Sequence, residues 1–151
     1  GHVPLPPYIH RPDEARDRDR YQTVFARARG SVAAPSAGLH LTDRLLAELR
    51  QHGVELSEIT LHVGYGTFQP VRVDRVEDHR VEPEWFEIDG AAAGAIDAAR
   101  QAGRRIVAVG TTTTRALEWA GEQGNGRVGP GAGTTSAFIY PGYRFRVLDG
   151  K

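Results

Sequence analysis

From residue 31 onward, short apolar runs alternate with segments whose apolar residues recur at helical spacing, and a glycine or glycine-rich turn closes almost every one of them. This alternation limits the fold more than any other feature, because a strand followed by a helix must pack that helix back onto a sheet. Residues 31–34 are the first strand candidate. Thr42 reads as an N-cap ahead of the Leu45, Leu46 and Leu49 stripe, and Gly53 as its stop. Residues 59–63 and 85–88 read as strands. Asp89 caps a helix whose Ala92, Ala95, Ile96 and Ala99 share one face as far as Gly103. Ile106-Val107-Ala108-Val109 is apolar throughout, as expected of a parallel strand buried on both faces. Gly110 and the threonines at 111–114 turn the chain into a helix carrying Ala116, Leu117 and Ala120, which Gly121 stops. Residues 121–133 hold six glycines and a proline and read as a flexible loop. Residues 138–140 are a last strand before Pro141-Gly142. The expected fold is α/β, with mainly parallel strands and alternating helices.

Upstream, residues 1–12 contain four prolines and are expected to run extended, as polyproline II or linker. Residues 13–29 are dense in charge. Tyr21, Val24 and Phe25 fit one face of a helix there.

Composition excludes several classes. The 19 basic and 19 acidic residues balance, so no global field draws in nucleic acid. Lys151 is the only lysine, and arginine forks suit phosphates, although a genome biased toward Arg, Ala and Gly gives the same composition. There are no cysteines, so disulfide, zinc-thiolate and Cys-nucleophile chemistry drop out. No apolar run approaches the ~20 residues of a membrane span and no signal peptide is visible, so a cytoplasmic location is expected. The chain begins at Gly1, lacks methionine and ends at Lys151, which reads as a piece of a longer protein.

Ligands of α/β folds gather at the carboxyl ends of strands. Three loops are expected there, at 35–40, 64–69 and 110–115. The stretch 60–70, Thr-Leu-His-Val-Gly-Tyr-Gly-Thr-Phe-Gln-Pro, ends a β-prone run in His62. It then offers bare backbone N–H groups, a hydroxyl and an aromatic ring, the equipment for a small polar ligand with a flat ring. The stretch 33–40, Ala-Ala-Pro-Ser-Ala-Gly-Leu-His, has the same grammar. In Gly110-Thr-Thr-Thr-Thr-Arg115, amides at a helix start suit an anion, or the threonines simply cap the helix. Arg115 opposes the helix dipole there, which points to a carboxylate or phosphate partner. It is neither a P-loop nor a dinucleotide fingerprint. His62 is either a core or second-layer residue or an acid–base group, and His40 is placed to face a cleft. His79 follows Glu77-Asp78 and is either oriented by a carboxylate or part of a solvated turn. No paired histidines stand at metal-ligand spacing, and no Gly-x-Ser-x-Gly elbow is present.

The ordered segments 1–9, 21–26, 30–40, 60–71, Asp78-His79, 109–112 with Arg115 and Leu117-Glu118, and 138–143 closely resemble the S-adenosylmethionine:tRNA ribosyltransferase-isomerases of queuosine biosynthesis. The chain differs from that family's usual pattern at Ser36 (Thr), Leu41 (Phe), Tyr65 (a small residue) and Glu82 (often His). The resemblance implies the central part of an incomplete, barrel-like catalytic domain. Residues 1–12 would be a linker and 13–151 a partial α/β catalytic domain. It lacks the family's N-terminal part, inserted β-barrel domain and C-terminal part. It also implies transfer and isomerisation of the ribosyl group of S-adenosylmethionine onto 7-aminomethyl-7-deazaguanine at the tRNA wobble position, giving epoxyqueuosine. S-adenosylmethionine would be the ribosyl donor, with no metal, no membrane and no obligate protein partner, in a monomer. His40 and His62 would handle protons. Pro35, Ser36, Gly38, Gly64, Gly66, Thr67, Phe68, His79, Thr111, Thr112 and Arg115 would bind substrate. Arg20, Arg27 and Arg29, or Arg72 and Arg75, would contact phosphates or else form a solvated face. The competing expectation is a non-catalytic α/β fragment that keeps nucleotide-ligand-binding loops, and the 151 residues alone are expected to be inactive.

Overall fold

The computed structural model describes residues 2–3, 5–6, 8–64, 73 and 81–149. In order, the elements are α1 (Asp17–Arg20), a 3-10 turn (Ser36–His40), α2 (Asp43–Gln51), β1 (Thr60–His62), β2 (Glu84–Ile88), α3 (Gly90–Gln101), α4 (Thr111–Gln123) and β3 (Gly131–Thr135). The α/β composition agrees with the sequence pattern, but the strand direction does not. The three strands form one sheet ordered β1-β2-β3, and both pairings are antiparallel. Thr60, Leu61 and His62 oppose Glu87, Phe86 and Trp85, while Glu84 to Ile88 oppose Thr135 to Gly131.

Strand β2 organises the core because its period of two places Glu84, Phe86 and Ile88 on the buried face. Phe86 and Ile88 pack with Ala92, Ala93 and Ile96 of α3 and with Ala116 and Leu117 of α4. Each large apolar side chain buried there contributes roughly 1.5–3 kcal/mol. The alanines let the helices approach closely. Both expected caps are present: Thr42 accepts from the Leu45 amide at 3.2 Å, and Asp89 from the Ala92 amide at 2.7 Å.

The glycine-rich region expected to be a loop contains β3. Gly133 stands opposite Phe86, and a Cβ there would lie 3.1 Å from the Phe86 and Trp119 rings. Those rings meet edge to face at 5.5 Å. A strand that pairs against packed aromatics needs that missing side chain, so tertiary contact overrides low β-propensity. The Ile106–Val109 run (106–109) behaves in the opposite way. Only Ala108 of its central residues is buried, and Val107 and Val109 are 60% and 43% exposed. Its Ile106 backbone is held by Asp149, whose carboxylate accepts from the Ile106 amide and whose amide donates to the Ile106 carbonyl, both at 2.9 Å. Residues 31–34 and 138–140 likewise form no strand.

Near the N-terminus, the helix is shorter than the 13–29 pattern predicts. Val24 is 48% exposed, whereas Thr23 is buried and Tyr21 and Phe25 are half-buried. The inward period is therefore two, not 3.6. The proline-rich stretch is tied down: Asp13 accepts from the Val3 amide and pairs with His2, and Pro6 is buried. Arg11 forks onto the buried Asp17 at 2.7 and 2.8 Å, holding that carboxyl well below the usual carboxylate range.

Candidate functional site

His62 ends β1. Its ring stacks on that of Trp85, its cross-strand neighbour, with centroids 4.6 Å apart and planes at 33°. A second wall comes from residues 30–33. Ser31 Oγ donates to the Leu61 carbonyl and accepts from the Val63 amide, each at 3.0 Å. The Val32 and Ala33 amides both donate to the Val63 carbonyl. This lacing lays Gly30 on the imidazole. A Cβ at Gly30 would sit 2.5 Å from Cε1 and 2.8 Å from Nδ1 and Nε2 of His62, and φ is +146°. Only glycine fits that backbone and that gap. The His62 Nε2 is buried and has no hydrogen-bond partner among the described residues. An orphaned buried ring nitrogen is costly, and such atoms concentrate where a ligand or an ordered water completes the bonding.

The 30–40 segment continues into the turn Ser36–His40, buttressed from below. A Cβ at Gly38 would lie 2.8 Å from Phe25 Cζ and 2.9 Å from Thr23 Cγ2. Burial raises the Tyr21 phenol, with the Ala34 amide acting against it. At the outer side of this turn, Ala37 Cβ is 3.8 Å from where a Gly110 Cβ would stand. The 35–40 and 110–115 loops therefore lie near one another, and the third leaves from Gly64, immediately after the residues laced to 31–33. Pro35 and Gly64 are half-buried, Ser36 is exposed and Gly38 is buried. His40 is exposed and makes no hydrogen bond among the described residues, so the structure does not join it to His62. Gly66, Thr67, Phe68 and His79, with Arg72 and Arg75, lie outside the described residues.

At the start of α4, Gly110 takes φ +96°. Thr113 and Thr114 donate their hydroxyls back to the Val109 and Gly110 carbonyls, at 2.9 and 3.0 Å. They do not cap the first-turn amides, and no side chain caps from the N-cap position. Thr111 is exposed and Thr112 buried.

Arg115 departs from the expectation that its fork meets a ligand. It is buried, with Nη1 donating to Glu84 at 2.7 Å, Nε to the Ala137 carbonyl at 2.6 Å and Nη2 to the Thr135 and Glu82 carbonyls. Burial pushes the guanidinium down and Glu84 pushes it back up. The unfavourable dipole position does have an anionic partner, but an internal one. Glu118 was not expected to matter by itself. Fully buried, it accepts from the Arg146, Val147 and Leu148 amides at 2.8–3.0 Å and fastens the segment that carries Asp149. The sequence signals were its place in the Leu117-Glu118 pair and a charge on the inward side of the α4 stripe.

The Gly30→Ala variant is expected to displace the His62 ring. Tryptophan emission from Trp85 should shift as the ring moves, and an unchanged emission would show that the ring tolerates the Cβ.

Among the described residues no group of three or more His, Asp or Glu side chains is placed to hold a metal ion, and no helix is long and apolar enough to cross a membrane. A family model described as queuosine biosynthesis protein matches residues 1–150. A relative from Geotalea uraniireducens named S-adenosylmethionine:tRNA ribosyltransferase-isomerase is 59% identical over 99% of this chain and 43% of its own length. One of the same name from Heliobacterium modesticaldum is 52% identical over 99% of this chain and 44% of its own. The crystal structure of an S-adenosylmethionine tRNA ribosyltransferase from Thermotoga maritima superposes with TM-score 0.55 at 32% identity, covering 75% of this chain and 34% of the other. The chain thus spans less than half the length of the curated relatives it matches.

Proposed function

The chain belongs to the queuosine biosynthesis protein family, and from that premise we propose that it carries part of the catalytic site of an S-adenosylmethionine:tRNA ribosyltransferase-isomerase. The reaction joins the ribosyl group of S-adenosylmethionine to the aminomethyl group of 7-aminomethyl-7-deazaguanine at the tRNA wobble position. The sugar rearranges to an epoxycyclopentanediol, and adenine and methionine leave.

The supporting observation is the buried, unpartnered Nε2 of His62 where residues 30–33 close on the end of β1. The sulfonium acidifies its neighbouring C–H, departing adenine needs a proton or hydrogen bond, and the attacking amine must be neutral. An imidazole meets such demands without a metal. In this reading His62 transfers a proton, held in place by Trp85 and Gly30. His40, on the exposed rim, serves a substrate group that enters from outside. Pro35, Ser36, Gly38, Gly64, Thr111 and Thr112 shape the pocket, with Gly66, Thr67, Phe68 and His79 contributing from the loop that follows. Arg115 acts by holding Glu84 rather than by touching substrate. The larger catalytic domain is barrel-like, and the protein works in the cytoplasm as a monomer.

The test is adenine release from S-adenosylmethionine by a complete protein containing this chain. Release is expected only with tRNA carrying the aminomethyl-deazaguanine. No release, or equal release without that base, overturns the reading. The 151 residues alone, spanning 43% of a relative's length, should release far less.

A further inference from the structure

We infer that Arg27 and Arg29 form a phosphate-contacting rim through which an RNA strand approaches His62. The inference rests on the tRNA substrate proposed above and adds the surface that receives it.

The observation is the inward alternation of Tyr21, Thr23 and Phe25 beneath the 33–40 turn. The alternation ends at Phe25, and residues 26–30 are exposed throughout. Arg20, Gln22, Val24, Arg27 and Arg29 are all exposed. Arg29 directly precedes Gly30, which rests on the His62 ring, and Arg27 lies three residues away. Chain reach alone keeps both Cα atoms within about 11 Å of Gly30.

Their charges are available. Arg29 forms no ion pair among the described residues, unlike Arg11 with Asp17 and Arg16 with Glu14. Arg27 meets Glu58 at 3.4 Å, but both side chains are largely in water, where such a pair contributes little and a phosphate can replace the carboxylate. Asp19 and Glu14 are the exposed acids of residues 13–29. The chain's overall neutrality makes a local strip, rather than a global field, the means of attracting a polyanion. Phosphate contacts also set register, and a wobble base must be splayed out before its aminomethyl group can react. Contacts beside Gly30 would bring the strand to the correct place for that.

The experiment is binding of an in vitro transcribed tRNA to the complete protein across a salt series, with Arg27→Ala/Arg29→Ala, Arg27→Lys/Arg29→Lys and Arg104→Ala compared. Arg104 is exposed and paired with Glu55, at the far end of the 106–109 segment from Gly110. Losing two phosphate contacts should weaken binding by about tenfold to a hundredfold at 0.1 M salt and flatten the log K against log salt slope by about 1.5. The lysine pair should retain most of the affinity, and Arg104→Ala should match the parent. An unchanged slope in the alanine pair, or an equal loss in Arg104→Ala, overturns the rim. Binding that follows this pattern with no adenine released would instead defeat the proposed reaction and leave the surface standing.

Discussion

Replacing His62 with glutamine is expected to lower turnover by about 10²- to 10⁴-fold, the usual range for removing a positioned acid or base. Stability should change far less. Glutamine places an amide near the position of Nε2 and can still hydrogen-bond, but it cannot exchange a proton. What it loses structurally is the ring stack on Trp85, and an aromatic pair contributes about 0.5–1.5 kcal/mol. A hundredfold loss of rate is about 2.7 kcal/mol of transition-state stabilisation, so the two effects are separable by magnitude. His62→Ala should match glutamine in rate but unfold at lower denaturant, because it also empties the space between Trp85 and Gly30. Turnover of the glutamine variant at the parent rate would mean that the orphaned nitrogen only orients a group. Equal losses in rate and stability would make His62 a core residue.

Arg115→Met should produce the largest loss of stability, about 3–5 kcal/mol, because it leaves the buried Glu84 carboxylate without this cation. It also removes the donors that serve the carbonyls of Glu82, Thr135 and Ala137, thereby unfastening the start of β2 from the end of β3. Denaturant unfolding of the complete protein measures the effect. In the double variant Arg115→Met/Glu84→Leu, the buried charge is gone from both sides and a substantial part of the loss should return. Near-parent stability of Arg115→Met would show that the cluster is dispensable. Failure of the double variant to recover would place the importance in the carbonyl contacts instead of the ion pair.

Those two sites differ in how visible they were. The strand that His62 ends was legible because a β-prone run followed by Gly-x-Gly is a local pattern. Thr42 and Asp89 were legible as caps for the same reason: each bonds an amide three residues away. Arg115 carried a real signal, a cation at the wrong end of a helix dipole, and the carboxylate it meets is the internal Glu84. The missing clue was Glu84, which shares the inward period of Phe86 and Ile88 and so had to be buried with a counter-charge. Glu118 required knowledge of where residues 146–148 return, and no local pattern encodes a contact across 28–30 residues.

Strand pairing failed for a related reason. The alternation of apolar runs and helical stripes is a property of successive segments, and it established an α/β fold. Whether two strands run parallel depends on which of them become neighbours. Gly131–Thr135 became a strand because Phe86 and Trp119 needed the room that Gly133 leaves, while the more β-prone 106–109 run was left with two exposed valines. The sequence by itself determined the α/β class, the helix caps and the family. The tertiary structure alone decided the antiparallel order, the internal use of Arg115 and the closure of Gly30 over His62. Caps and periodicities are read within one turn or one strand, whereas a buried charge or a missing Cβ has meaning only through what packs against it.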